Sequence, residues 1–342
     1  MDHPASHARP FRSVLIANRG EIAIRIARAA GELGLRTVAI CSQDDETSPH
    51  GFAADARLML PGSGAAAYLD IDAVIDAARQ AGCDAIHPGY GFLSENADFA
   101  RRCHEAGLVF VGPSPAVLDL FGDKLQARAL ARRLGVPVLP GTDGPCTLAQ
   151  AEAFLQGLGP GARAMVKAVA GGGGRGMRAV DSLAALAAAY PRCRSEAASA
   201  FGVADVYLEA LVAPARHIEI QVLGDGERVS HLGERDCSLQ HRHQKLIEIA
   251  PSPWLPAGLR DAITQAALRL TEASGYRGVG TMEFLVGENG AAGAAGFVFI
   301  EANPRLQVEH TVTEAVTGID LVQTQLRLAT GESLSDLGLG AP

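Results

Sequence analysis

The stretch Gly296-Phe-Val-Phe-Ile-Glu-Ala-Asn-Pro-Arg-Leu-Gln-Val-Glu-His310 joins an apolar run to a segment dense in reactive side chains. The apolar run predicts a strand that leaves a core. Beyond it, polar residues occupy alternate positions, which places them on one face if the chain is extended. They are Glu301, Asn303, Arg305, Gln307 and Glu309. Carboxylate and amide oxygens suit Mg²⁺ and a guanidinium suits a small oxyanion, so the segment predicts a combined site, with a solvated strand face as the alternative.

Four consecutive glycines follow Lys167 in the stretch Lys167-Ala-Val-Ala-Gly-Gly-Gly-Gly-Arg-Gly-Met177. Glycine weakens helices and strands and buries no side chain, so the run favours close approach and movement instead. Unshielded N–H groups can cradle phosphate oxygens, and such a loop can close over a nucleotide. The sequence has neither G-x-x-x-x-G-K-[ST] nor a G-x-G-x-x-G after its first strand. The run therefore predicts a phosphate loop of another kind, with a flexible linker as the alternative.

The composition is typical of a globular protein of several subdomains. Of 342 residues, 48% are hydrophobic and 20% are charged. The net charge of −8, without a basic stripe, argues against a nucleic-acid partner. Six cysteines without a C-x-x-C pair predict buried thiols in the cytoplasm. We expect residues 1–10 to be a disordered extension, and we predict no membrane span because no apolar stretch is long enough.

Apolar periodicity divides the chain into regions of different fold class. Up to about residue 111, strands alternate with helices, which predicts a parallel α/β sheet. The predicted strands are 13–17, 37–41, 84–86 and 109–111, and the predicted helices are 21–33, 71–81, 95–106 and 125–134. Residues 136–210 predict a small α+β unit with an Ala-rich helix near 182–200. Strands at 218–223, 278–286 and 296–301 predict a largely antiparallel sheet.

Several motifs together resemble those of the biotin carboxylase component of biotin-dependent carboxylases, an ATP-grasp family. Besides the glycine run and residues 301–310, the matching segments are 16–21 (IANRGE), 87–96 (HPGYGFLSEN), 122–124 (GDK), 216–221 (RHIEIQ), 234–238 (ERDCS) and 242–245 (RHQK). ATP-grasp ligases in general share the loop and the metal carboxylates. Segments 87–96, 243–245 and 305–310 favour biotin carboxylase over its relatives.

The resemblance, which covers the chain from about Phe11 to its end, implies a domain organisation. It implies an α/β N-terminal (pre-ATP-grasp) domain at 11–122 and an ATP-grasp domain at 123–330, with a glycine-loop lid at about 138–210. Residues 331–342 would be a tail. Family chains continue into a further C-terminal subdomain, so we expect the biotin site to be incomplete here and a homodimer to be weakened.

The resemblance implies an ATP site between the lid and the larger antiparallel sheet. The implied cofactor-binding residues are Lys124, Lys167, Gly173, Gly174, Glu209, Ala210, Leu211, Val212, His217, His243, Glu283 and Glu301. The two lysines and two glycines would contact the phosphates, residues 209–212 would hold the adenine, in part through the backbone of Leu211, and His217 would lie near the ribose. Two Mg²⁺ or Mn²⁺ ions would be held by Glu283, Glu301 and Asn303.

The second substrate implied by the resemblance is bicarbonate. Its implied ligands are Lys245, Arg305, Gln307, the backbone of Val308, and Glu309. Glu309 would remove its proton, Lys245 and Arg305 would act with it in catalysis, and bicarbonate would attack ATP to give carboxyphosphate. The CO₂ would pass to biotin, whose side of the site would be lined by His243, Tyr90, Gly91 and Arg305.

The predicted function is therefore biotin carboxylation as the first half-reaction of an acyl-CoA carboxylase, such as the acetyl-CoA carboxylase of fatty acid biosynthesis. Expected partners are a biotin carboxyl carrier protein and a carboxyltransferase on other chains. Two departures from the family pattern are Ala210, where Lys is usual, and Pro304, where Thr is common. Three alternatives stay open: another ATP-grasp carboxylate–amine ligase, a chain that binds ATP without carboxylating biotin, and a half that works beside a separate chain.

Overall fold

The structure, a computed structural model, describes residues 10–169, 176–212, 214–241, 244–287 and 294–340. The first elements are β1 Ser13–Ile16, α1 Gly20–Glu32, β2 Arg36–Cys41, β3 Ala56–Met59, α2 Gly64–Tyr68, α3 Ile71–Gln80, β4 Ala85–His87, α4 Ala97–Glu105, β5 Val109–Phe110 and α5 Pro115–Gly122. The five strands form a parallel sheet in the order β3-β2-β1-β4-β5. The α/β class predicted from the alternation of strands and helices is confirmed.

The central strand β1 explains why this sheet forms. All four of its residues are buried, as expected of a strand covered by helices on both faces. The carboxyl ends of β1 and β4 bring two loops together, and Asn18 joins them by donating to the carbonyls of Pro88 at 2.7 Å and Tyr90 at 2.8 Å. Gly89 has φ +65°, and a Cβ there would lie 2.9 Å from Asn18 Nδ2. Glycine at this position therefore permits the contact that positions Tyr90.

A small antiparallel sheet follows. Its surroundings are α6 Lys124–Arg133, α7 Leu148–Gly157, β6 Ala164–Ala168, β7 Met177–Val180, α8 Leu183–Phe201 and β8 Val206–Ala210. The strands are ordered β7-β6-β8, and their apolar side chains pack on α7 and α8 through residues such as Val166, Leu186 and Leu208. We call this unit the lid. Residues 170–175, which include the four consecutive glycines, are outside the described part of the chain.

The third sheet carries most of the polar site. Its elements are β9 Ala215–Asp225, β10 Val229–His241, β11 Gln244–Ile249, α9 Ala257–Ala273, β12 Arg277–Gly287, β13 Phe297–Asn303, α10 His310–Thr317 and α11 Leu321–Ala329. The order is β11-β10-β9-β12-β13, and every pairing is antiparallel, as the sequence predicted. On β9, Ile218, Ile220 and Val222 join the core that includes α9. The alternate residues Glu219 and Gln221 therefore face the opposite side of the sheet.

Some elements differ from the sequence predictions. The hairpin of β10 and β11 was not predicted, because its many polar residues hide the strand pattern. The predicted extended segment 301–310 remains a strand only through Asn303, after which the chain turns and α10 begins at His310. Arg25 of α1 pairs with Glu314 at 2.9 Å and Asp320 at 2.7 Å, which joins the N-terminal domain to the end of the chain. Among the described residues, no helix is long and apolar enough to cross a bilayer.

Candidate active site

Two carboxylates face each other across the last two strands of the large sheet. Glu283 on β12 lies directly opposite Glu301 on β13, and Thr281 lies opposite Asn303. Like charges placed opposite each other on neighbouring strands are destabilising unless a cation or donors compensate them. Glu283 Oε1 accepts hydrogen bonds from Asn303 Nδ2 at 2.7 Å and Gln307 Nε2 at 2.9 Å. This set of hard oxygen ligands fits a divalent cation such as Mg²⁺.

Glu283 is also in contact with two basic side chains. Lys245 Nζ lies 3.1 Å from its Oε1, and His217 Nε2 lies 2.7 Å from its Oε2. Burial alone would raise the pKa of the Glu283 carboxyl, but His217 and Lys245 hold it well below its usual value. Burial conversely lowers the pKa of His217, and Glu283 outweighs it, so that this pKa is raised. The prediction placed His217 near a ribose; here it contacts a carboxylate of the predicted metal site.

Lys245, on the edge strand β11, lies among three carboxylates. Its Nζ is 2.5 Å from Glu219 and 3.1 Å from Glu283, and it also pairs with Glu309. Burial lowers the pKa of Lys245, but the carboxylates of Glu283, Glu219 and Glu309 outweigh it and raise this pKa above its ordinary value. For Glu309 burial raises the pKa and Lys245 lowers it, with a net decrease. At neutral pH, therefore, Lys245 is a cation and Glu309 is a carboxylate that can accept a proton.

Beneath this cluster lies a fully buried arginine that the sequence analysis gave no role. Arg235 on β10 donates from Nε to Glu219 Oε1 at 2.6 Å, and its side chain has no exposed surface. It further donates to Gln221, Thr313, Thr281 and Gln307 at 2.7, 2.8, 3.2 and 3.2 Å. Arg235 thereby connects three strands, the turn after β13 and α10 under the polar face.

Arg305 lies where the N-terminal sheet meets the large sheet. Its Nε donates to Glu95 at 2.5 Å, its Nη2 to Asn303 Oδ1 at 3.0 Å, and its Nη1 to the carbonyl of Leu306 at 3.2 Å. Glu95 lies just before α4, and no role was predicted for it. The neighbouring Val308 has a side chain that is 61% exposed, whereas Gln307 is buried. Arg305 therefore connects the polar segment after β13 with the N-terminal domain.

Tyr90 and Gly91, predicted on the biotin side, line a cavity of about 720 Å³ in the N-terminal domain. Asn18 and Glu21 also line it, and the Tyr90 hydroxyl donates to Glu21 Oε1. Burial raises the pKa of Tyr90, as do Glu21 and the more distant Glu309. Tyr90 and Gly91 therefore lie together at the wall of this cavity.

The predicted nucleotide residues gather around the lid. Lys124 begins α6, and Lys167 on β6 lies 2.5 Å from Glu209 on β8. Burial and the nearby Lys124 lower the pKa of Lys167, Glu301 raises it, and the net result is a pKa of about 8. Lys167 therefore remains a cation at neutral pH and lies within electrostatic reach of the carboxylate pair.

The predicted adenine hinge, residues 209–212, includes the last two residues of β8 and the two that follow. The Ala210 N–H donates to the carbonyl of Pro140, and the Leu211 N–H donates to the carbonyl of Arg163, each at 2.8 Å. A ligand contact by the Leu211 N–H would therefore require that bond to break. Val212 packs with Leu139, Val298 and other apolar residues in a small separate cluster. This cluster supplies an apolar surface beside the hinge, which suits an aromatic base. The predictions for Gly173, Gly174 and His243 fall outside the described residues.

Two family models match the chain. Residues 10–118 match the family model "Biotin carboxylase, N-terminal domain", and residues 123–337 match "Carbamoyl-phosphate synthase L chain, ATP binding domain". The solved biotin carboxylase of Campylobacter jejuni is 42% identical, with a TM-score of 0.92, over 97% of this chain and 74% of that one. This chain belongs to the biotin carboxylase family.

Other biotin carboxylase regions are similarly close. The biotin carboxylase domain of Hydrogenobacter thermophilus 2-oxoglutarate carboxylase is 44% identical, with a TM-score of 0.90, over 95% of this chain and 70% of that one. Pyruvate carboxylase of Bacillus subtilis is 52% identical over 97% of this chain. The chain spans only 28% to 29% of the length of the curated pyruvate carboxylases it matches first. It corresponds to the biotin carboxylase region of such enzymes.

Three charged residues at or near the site, Glu219, Arg235 and Arg128, were not predicted from the sequence motifs. Glu219 and Arg235 lie in strands where a charged residue predicts a solvated face, and only the sheet register places them under the site. Arg128 lies in a helix with two other arginines in its last turn, yet it is 3% exposed. The one available signal was the spacing of Glu219 and Gln221, which alternate with the apolar residues of β9.

Proposed function

We propose that this chain uses ATP and bicarbonate to carboxylate biotin, the first half-reaction of a biotin-dependent carboxylase. The observation that carries the proposal is the contact of Lys245 with Glu219, Glu283 and Glu309. This cluster combines the cation Lys245, the carboxylate Glu309, which can accept a proton, and the predicted metal ligand Glu283. The Campylobacter jejuni relative is described as a βγ-ATP complex, and that of Hydrogenobacter thermophilus as a complex with MgADP, ADP and bicarbonate.

In the proposed reaction, Lys245 and Arg305 hold the bicarbonate anion with Gln307 and the backbone of Val308. Glu309, whose pKa is lowered, is ionised and takes the bicarbonate proton. The deprotonated oxygen attacks the γ-phosphorus of ATP, and the bond from that phosphorus to the leaving ADP oxygen breaks. The products of this step are ADP and carboxyphosphate. Because Lys245 stays protonated, it stabilises negative charge and does not act as the base.

The nucleotide would lie between the lid and the large sheet. Lys124, at the start of α6, and Lys167, on β6 of the lid, would offset the negative charge on the phosphates. Glu283, Glu301 and Asn303 would hold Mg²⁺ or Mn²⁺, which would supply further neutralisation of phosphate charge. Residues 209–212 would position the base against the apolar cluster that contains Val212. Lid closure would exclude water, which would otherwise hydrolyse carboxyphosphate.

Biotin would receive the carboxyl group on the side of Tyr90 and Gly91. Carboxyphosphate breaks down to CO₂ and phosphate, and the phosphate takes the proton from the ureido nitrogen of biotin. That nitrogen then bonds to CO₂. The Arg305 guanidinium would stabilise the enolate-like form of biotin, since a delocalised cation suits a developing oxyanion. Tyr90 lines the 720 Å³ cavity, which offers space on this side.

The partners and final acceptor are also proposals. A biotin carboxyl carrier protein would deliver biotin, and a carboxyltransferase would pass the carboxyl group to an acceptor. The acyl-CoA acceptor predicted from the sequence stays a prediction. Pyruvate is the second candidate, because the 52%-identical relative from Bacillus subtilis is named a pyruvate carboxylase. A homodimer is supported by the Hydrogenobacter thermophilus domain, which is described as a dimer.

Phosphate release from MgATP by the purified chain tests the proposal. Release that rises with bicarbonate and again with free biotin would support the full half-reaction. Arg305→Ala should abolish the dependence on bicarbonate, whereas Arg101→Ala, a 46%-exposed control that pairs with Asp119, should not. Release that ignores bicarbonate in the unaltered chain would overturn the proposal and favour another ATP-grasp ligase.

A further inference from the structure

Arg128 is almost fully buried in α6, one turn beyond Lys124. Its Nη1 donates to Glu209 Oε1, and its Nη2 donates to the carbonyl of Leu139 at 2.9 Å. Its guanidinium carbon also lies 5.6 Å from the centroid of the Tyr207 ring. Arginine is rarely buried to 3% exposure unless it is paired. This side chain is therefore part of a built arrangement at the base of the lid.

Gly141 provides the space for this guanidinium. A Cβ at position 141 would lie 2.6 Å from Arg128 Nη2 and 2.7 Å from the carbonyl oxygen of Leu208. Gly141 also forms an antiparallel bridge with Glu209, so the backbone passes directly over the ion pair. Any side chain at position 141 would displace either the arginine or the lid strand β8. Glycine at position 141 therefore leaves open the space that the Arg128 guanidinium occupies.

Glu209 is shared by two buried cations. Arg128 binds its Oε1, and Lys167 lies 2.5 Å from its Oε2. The Glu209 side chain is 3% exposed, the Arg128 side chain 4% and the Lys167 side chain 14%. If Lys167 were its only partner, turning Lys167 towards a ligand would leave a buried carboxylate unpaired, which is strongly unfavourable. With Arg128 in place, the carboxylate stays paired when Lys167 moves.

We propose that Arg128 is a positioning residue of the nucleotide site, which holds Glu209 so that Lys167 is free to bind a nucleotide phosphate. The inference rests on the proposed function, in which Lys167 contacts the phosphates. Lys124 lies one turn before Arg128 on the same helix, so α6 contributes to the site twice. Lys124 acts on the phosphates directly, and Arg128 acts on them through Glu209 and Lys167.

The test is the affinity of the purified chain for MgATP and MgADP, measured by calorimetry, together with the KM values for ATP and bicarbonate. Arg128→Met leaves Glu209 with Lys167 as its partner and should weaken nucleotide binding by about tenfold or more, the scale of one charge-assisted hydrogen bond. The KM for bicarbonate should change less than about twofold. Arg128→Lys keeps one cationic donor group, and its nucleotide affinity should lie between those of the unaltered chain and Arg128→Met. The control is Arg132→Met, because Arg132 lies one turn further along α6, is 44% exposed and pairs with Asp143.

A second substitution separates positioning from a purely structural role. In Arg128→Met/Glu209→Gln, the neutral amide no longer holds Lys167, so nucleotide affinity should rise above that of Arg128→Met by about threefold or more. A structural role predicts that the double variant binds at least as poorly as Arg128→Met. If Arg128→Met alone does not fold, the double variant and Gly141→Ala, which should displace the guanidinium and weaken nucleotide binding, carry the test.

The outcomes are distinguishable. Weakened nucleotide binding in Arg128→Met and recovery in the double variant support the proposal. Unchanged binding in Arg128→Met, or no recovery in the double variant, overturns the role of Arg128 and leaves the proposed function intact. Failure of the unaltered chain to bind MgATP overturns the proposed function and this inference together.

Discussion

Removal of the buried Arg235 guanidinium should destabilise the large sheet more than any exposed arginine does. In Arg235→Met, five donor contacts are lost, and the Glu219 carboxylate keeps Lys245 as its remaining cation. Methionine has a long unbranched side chain and retains part of the packing volume. The substitution therefore removes the charge and the donors more than it removes the packing.

The expected magnitude follows from the burial of the pair. Neither Arg235 nor Glu219 has any exposed side-chain surface, and their closest contact is 2.6 Å. Removing one partner of such a pair costs about 3–5 kcal/mol of the free energy of unfolding. Domains have about 5–15 kcal/mol in total, so about a fifth or more of the stability is at stake. With a urea slope of roughly 3 kcal/mol per molar, the unfolding midpoint should fall by about 1 M or more.

Urea unfolding followed by circular dichroism measures the effect. Arg228→Met is the control, because Arg228 is exposed and donates to Ser335 at 3.1 Å, and its midpoint should shift by less than about 0.3 M. Adding Glu219→Gln to Arg235→Met removes the stranded charge and should recover part of the loss. An Arg235→Met midpoint equal to that of the unaltered chain would refute the reasoning, because the buried pair would then contribute nothing.

Three further outcomes are expected from the site. Because the pKa of Lys167 is lowered to about 8, this lysine is charged below that pH and neutral above it. Nucleotide affinity measured by calorimetry should therefore be level near pH 7 and weaken as the pH rises through 8. Lys167→Gln should flatten this pH profile, and an unchanged profile in the variant would contradict the role of Lys167 as a phosphate contact. Glu309→Gln should lower kcat for phosphate release by about 10²-fold or more with MgATP affinity changed less than about twofold, since it removes a base and not a nucleotide contact; a normal kcat would exclude Glu309 as the base. Glu301→Gln should raise the Mg²⁺ concentration for half-maximal phosphate release by about tenfold, and EDTA should abolish release; an unaltered Mg²⁺ titration would remove Glu301 from the metal site.

Local patterns were sufficient to predict the parallel sheet and three of the five strands of the large sheet, and they singled out Glu301 and Asn303 as candidate metal ligands. The apolar runs at residues 13–17 and 37–41 became buried strands of the parallel sheet, because continuous apolar runs suit strands covered on both faces. Glu301 and Asn303 follow an apolar strand and remain on its polar edge, where Glu283 faces them across the register. In each case the deciding information lies within about ten residues of sequence.

The parts that could not be predicted depend on tertiary register. Arg235 and Glu219 are 16 positions apart in sequence, and the antiparallel pairing of β9 and β10 makes them neighbours. Arg128 and Glu209 are 81 positions apart and meet because the lid packs on α6. A helical arginine and a charged strand residue predict solvent exposure in isolation. Their burial is decided by which partner the fold brings to them, and no local pattern contains that partner.

The central claim, that bicarbonate is phosphorylated by ATP in this site, is tested most directly with ¹⁸O-labelled bicarbonate. When its oxygen attacks the γ-phosphorus and carboxyphosphate then loses CO₂, that oxygen stays on phosphorus. Mass spectrometry of the released phosphate should therefore find one ¹⁸O atom per phosphate, in the unaltered chain and at a much lower rate in Glu309→Gln. Phosphate that is released without ¹⁸O would mean that water or another nucleophile attacks ATP, and this would contradict the account.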